Sequence, residues 1–156
     1  MSINLKSLAT VIDLARRRRD EAGAHVARAQ QALASARAQM DQLAHFADEG
    51  QSKWMARSAA GVSPVLMQHQ RDFAHKIQHA IDFQTNVIAQ RDGHLQATLA
   101  ALQLAERELA TLEKVVERTL TQQRLAAHKA EQKMNDEMAM SMLAHQRRQA
   151  EQEPTP

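Results

Sequence analysis

The chain contains no cysteine and no tyrosine, and among its 156 residues there are only 3 Phe, 1 Trp, 4 Gly and 3 Pro. Each shortage removes a class of structure. Without cysteine there are no disulfides and no thiolate metal sites, a composition that suits a reducing, cytoplasmic compartment. Aromatic residues supply much of the buried area of ordinary cores, so their scarcity argues against a large compact core. Few glycines and prolines mean few turns. No apolar run is long enough to span a bilayer, and the start of the sequence lacks the basic, apolar and small-residue pattern of a secretory signal. Net charge is +2, from 20 Lys and Arg against 18 Asp and Glu mixed along the chain, which is too balanced for a dedicated nucleic-acid binder.

What is abundant is Ala, Gln, Leu, Glu, Lys and Arg, the composition of long helices and coiled coil. The strongest pattern is a ladder in the second half: Ile81, Ile88, Leu95, Leu102, Leu109 and Val116. Its members follow at heptad spacing, which keeps them on one side of a helix and lets that helix lie along another. Ala105 and Leu112 complete the three-and-four spacing. A matching ladder runs through the first half, from Leu5, Leu8, Ile12 and Ala15 to Ala47, Gly50 and Trp54. Arg19 and Gly50 are its only poor seam residues.

Boundaries follow from caps and breakers. Asn4 is a suitable N-cap, and helix one is expected over about 4–57, roughly 50 residues or ~75 Å. Gly23 is a tolerated weak point, and Gly50 is expected to loosen the last turns. The stretch 58–63 is the turn: Gly61 suits a left-handed position, and Ser63 followed by Pro64 reads as an N-cap with proline at the first helical position. Helix two is expected over about 64–148, roughly 85 residues or ~125 Å if unbroken, with a disordered tail over 149–156. The fold class is therefore all-α: a single long antiparallel two-helix coiled-coil hairpin with an overhanging C-terminal helix.

Folding the chain about residue 61 makes each residue face one whose number sums with its own to roughly 122. Helix one then runs out opposite Val116, where the second ladder also fades. The same register sets Arg16 and Arg19 near Glu106 and Glu108. After Leu120 and Leu125 the helix becomes polar, with Met134, Met138 and Met142 at four-residue spacing. An isolated helix of this length is marginal in water. The stretch reads either as a fraying tail or, preferably, as a partner-binding tip whose methionines supply a soft, adaptable surface.

Chemistry-bearing motifs are sparse. His75 and His79 share a helix face, but Lys76 stands where a zinc protease needs glutamate and no third ligand follows, so surface histidines are the better reading. No phosphate loop, nucleophile elbow or catalytic carboxylate pair can be assembled, and no enzyme or cofactor is expected. Arg16 to Arg19 spread around the helix circumference and are flanked by Asp13, Asp20 and Glu21. A solvated, ion-paired face is preferred there over a protein-binding or nucleic-acid patch. Phe73, Ile77, Ala80 and Gln84 form a stripe beside the main ladder. They either broaden the seam against Met40, Leu43 and Phe46 or offer an exposed docking patch. Trp54 is read as capping the seam, with a partner contact as the alternative.

Four stretches together resemble the FliJ family, the small coiled-coil protein of the bacterial flagellar export apparatus. They are Leu8-Ala-Thr-Val-Ile-Asp-Leu-Ala15; Phe46 to Ser58 leading into Gly61-Val-Ser-Pro64; Gln70-Arg-Asp-Phe73 with Ile77 and Ala80; and Glu131-Gln-Lys-Met-Asn-Asp-Glu-Met-Ala139. The resemblance spans nearly the whole chain. It implies a non-catalytic stalk that inserts the hairpin termini into the flagellar export ATPase ring, contacts the membrane export gate protein and escorts export chaperones. It also implies peripheral association with the inner-membrane apparatus and a monomer when free. Gate contact is implied for Phe73, Ile77, Ala80 and Gln84, the last standing where the family can have His. ATPase contact is implied for Leu8, Asp13 and Arg16 on helix one, and for Gln132, Lys133, Met134, Asp136, Glu137 and Met138 on helix two. Two other readings stay open: the equivalent stalk of a virulence secretion system, and an adaptor that only holds export substrates or their chaperones. A self-associating scaffold is a further class.

Overall fold

The structure, a computed structural model, describes residues 4–154. It contains two helices, α1 (Leu5–Ser58, 54 residues) and α2 (Pro64–Gln152, 89 residues), and no strand among the described residues. The fold is thus all-α, a two-helix hairpin.

Local chemistry explains where the helices start and stop. Asn4 Oδ1 accepts a hydrogen bond from the Lys6 amide at 3.1 Å, and the Asn4 carbonyl accepts from the Leu8 amide as the first helical bond. This is the N-cap arrangement. At the other end of α1 the Gly61 amide donates to the Ser58 carbonyl, and Gly61 takes φ 89°. A side chain would strain that conformation, so glycine is required there. Ser63 Oγ then accepts from the Leu66 amide at 3.3 Å, and Pro64 opens α2. α2 continues through Gln152, past the expected end at Arg148, so residues 149–152 are helical rather than a disordered tail. Nothing in that stretch breaks a helix before Pro154. Thr155 and Pro156, and the lead before Asn4, lie outside the described residues. α1 also runs through Gly50 without interruption to Ser58.

Packing divides the chain into two units. One is Leu14–Leu109, and the other joins the described residues up to Asp13 with those from Ala110 onward.

In the Leu14–Leu109 unit, α1 buries Ala15, Val26, Ala29, Leu33 and Ala36, and α2 buries Gln84, Ala105 and Leu109. Ile81, Ile88, Leu95 and Leu102 of the heptad ladder are half-buried. Facing pairs such as Ala36 with Gln84 and Phe46 with Phe73 fall within one helical turn of the expected register. The seam has alanine at many rungs, so little area is buried per rung.

One expectation is corrected in this unit, and one pair of alternatives is decided for one residue. Gln84 broadens the seam, the first of the two readings of its stripe: it is 7% exposed. Its amide donates to the Ala36 carbonyl at 2.8 Å and to Gln39 Oε1 at 3.2 Å. Arg19 does not reach Glu106 or Glu108; its guanidinium binds the adjacent Asp20 carboxylate at 2.9 Å. The neighbouring acid is simply the shorter reach for this half-buried side chain.

In the other unit, Leu8 and Ile12 are buried, and Leu112, Val115, Val116, Thr119 and Leu120 are half-buried. From Thr121 to Pro154 every described residue is exposed. The stretch nevertheless stays helical to Gln152.

Candidate protein-docking surfaces

Two surfaces carry the residues singled out in the sequence. The first lies in the Leu14–Leu109 unit around Phe73. Its ring meets Phe46 edge-on, with centroids 5.8 Å apart and planes at 66°. Such T-shaped pairs add about 0.5–1.5 kcal/mol beyond burial alone. Both rings remain exposed on their outer sides. Ile77 and Ala80 are half-buried beside them, and Trp54 is half-buried closer to the turn. A hollow of about 180 Å³ opens between the helices here, lined by Gly50, Gln51, Gln70, Phe73 and Ile77. Gly50 helps to form it: a Cβ at that position would sit 3.4 Å from Phe73 Cε1. The stripe therefore both widens the seam and leaves aromatic surface outside. Gln84 takes no part in that outer surface, because its amide is committed to the backbone of α1.

The second surface is the exposed stretch of α2. Met134, Met138 and Met142 are 64%, 59% and 63% exposed, and Leu125, Met140 and Leu143 are also open. Gln132, Lys133, Asp136 and Glu137 surround them and are all exposed. Apolar thioethers set among charged side chains at helical spacing form a surface suited to an apolar partner. In the same unit Asp13 is exposed, whereas Leu8 is buried and acts in packing. Arg16, in the hairpin unit, is exposed.

One feature was not read from the sequence: Phe46 as surface as well as packing, for which composition gives no signal. Gln84 as a seam residue was one of two readings, and its place three after Ile81 in the three-and-four pattern favours it.

Among the described residues, no group of three His, Cys, Asp or Glu side chains is arranged to hold a metal ion, and His75 and His79 are both exposed. Among them, too, no helix is long and apolar enough to cross a membrane.

Comparison with known proteins gives one finding. The family model described as Flagellar FliJ protein matches residues 5–149, which include all of α1 and nearly all of α2. No curated protein and no solved structure matches the chain. Over that span the chain belongs to the flagellar FliJ protein family, whose members are components related to flagellar protein export.

Proposed function

We propose that the chain is a non-catalytic stalk of the flagellar export apparatus. Its ends enter the export ATPase ring and favour the ring's assembly or activity. The Phe46–Phe73 side of the hairpin meets the membrane export gate protein, and export chaperones are escorted on the same subunit. The observation that carries this reading is the fully exposed, methionine-bearing helix from Thr121 to Gln152. An isolated helix this long is marginal in water, and its apolar side chains face solvent in the absence of a partner. Gln132, Lys133, Met134, Asp136, Glu137 and Met138 are the contact residues on α2. On α1 the corresponding contacts are Asp13 and Arg16, while Leu8 is buried.

The test is ATP hydrolysis by the purified cognate export ATPase, with and without this protein. A saturable increase that disappears on truncation after Leu125 is expected. An unchanged rate, under conditions where the export gate protein or chaperones still bind, would replace the stalk by an adaptor. That second reading has its own support in the exposed edges of Phe46 and Phe73.

A further inference from the structure

The Leu14–Leu109 unit has a second apolar face, further along the hairpin from the Phe46–Phe73 pair. On α2, Phe83, Val87, Ala97, Ala101 and Leu104 recur at three-and-four steps, with Gln90 and His94 on the intervening rungs. That spacing puts them in one line along the helix, next to the buried seam. Phe83 and Leu104, at the two ends of the line, are exposed large apolar residues. Between them Ala97 and Ala101 are small, whereas Val87, Gln90 and His94 are larger. Ala22, Ala97, Thr98 and Ala101 line an open hollow of about 360 Å³, with Arg18, Glu21, His25 and His94 around it. Leu14, also exposed, lies one turn before Arg18 on the α1 side.

The rim carries both signs, Arg18 and Glu21, and the two are not equally engaged. Glu21 lies 3.9 Å from His25, and Arg28 reaches the other nitrogen of that ring at 3.2 Å. Arg18 makes no hydrogen bond or ion pair among the described residues. A guanidinium beside an apolar hollow is a ready partner for a carboxylate, which it can grip through two parallel hydrogen bonds.

We propose that this face is a docking groove for one amphipathic helix of another protein, with acidic residues flanking its apolar stripe. A line about six turns long, apolar at five of its seven rungs, matches a helix laid along the hairpin, not a compact small molecule. The alanine-lined hollow accepts a large side chain from that helix, and Arg18 holds a carboxylate next to it. A second copy of this chain is a poorer occupant. An antiparallel two-fold contact on this face would set Arg18 of one copy on the same edge as Arg18 of the other. The groove does not depend on the stalk reading, because no component of the export apparatus enters the argument or its test.

The test uses the full chain and two synthetic fluorescein-labelled helical peptides of about three heptads, each with leucine at the apolar rungs. One carries glutamate on its flanks and the other lysine. Fluorescence anisotropy is expected to show saturable binding of the acidic peptide at micromolar concentration and at least tenfold weaker binding of the basic one. The neutral double substitution A97Q/A101Q fills the hollow and should weaken the acidic peptide at least tenfold, with helix content by circular dichroism unchanged. Arg18→Glu should reverse the preference between the two peptides. Equal binding of both peptides, binding of neither, or indifference to both variants would overturn the proposal. So would a dimer in sedimentation velocity that A97Q/A101Q disperses, since the face would then belong to a second copy.

Discussion

The hairpin around Leu33 and the helix around Met138 are built from similar residues and have the same secondary structure, yet their side chains have opposite fates. Val26, Ala29, Leu33 and Ala36 are buried against α2, whereas Met134, Met138 and Met142 stand in solvent. Backbone hydrogen bonds therefore distinguish nothing between the two regions; side-chain burial does. In the first region the apolar stripe is satisfied within the chain. In the second it is a surface, and its helix depends on intrinsic propensity and on whatever covers it. Among the described residues the last half-buried position is Leu120, so the change comes where α1 has no further turns to offer in that unit.

This contrast is sharpest under truncation of single side chains. Leu33→Ala should cost about 2–3 kcal/mol, at the low end of the range for buried leucines because a two-helix seam is thin. Met138→Ala should cost at most about 0.5 kcal/mol, as expected for an exposed site. Urea unfolding of both variants measures the difference. Similar losses in the two would mean that the exposed stretch is packed after all.

Gln84 tests the seam more finely. Gln84→Ala removes a buried side chain with two hydrogen bonds and should cost about 1–2 kcal/mol. Gln84→Leu should be close to neutral or slightly stabilising. The Ala36 carbonyl keeps its helical partner, Gln39 can turn to solvent, and an apolar rung replaces a polar one. Urea midpoints again decide. A leucine variant as unstable as the alanine variant would assign the amide a larger role than filling the seam.

The smallest expected effect is at Gly23, where a Cβ would meet nothing within 4 Å. Gly23→Ala should raise stability by up to about 1 kcal/mol through helix propensity alone, a shift visible in the thermal midpoint. A loss of stability there would point to a backbone irregularity at that turn.

Much of this was legible beforehand because coiled coils write their packing as spacing. Heptad rungs, the Asn4 and Ser63–Pro64 caps and the Gly61 turn all state their roles locally. What could not be read locally depends on competition between partners. Arg19 has an acid beside it and acids across the hairpin, and only geometry decides that Asp20 is the one bound. Gln84 stands in two periodicities at once, the seam and the neighbouring stripe. The spacing allowed either, and only the reach of its amide to the Ala36 carbonyl places it inside. The end of α2 was set too early because a polar run resembles a tail, although nothing before Pro154 forbids another helical turn.

The central claim is that the exposed α2 stretch is covered by the export ATPase, and hydrogen–deuterium exchange on the full chain tests it most directly. In the free protein, amides from Thr121 to Gln152 should exchange far faster than those between Val26 and Ala36. Adding the cognate ATPase should slow exchange around Met134 and Met138 and leave the Val26–Ala36 stretch unchanged. Saturating ATPase with no added protection on α2 beyond Leu120 would contradict the account.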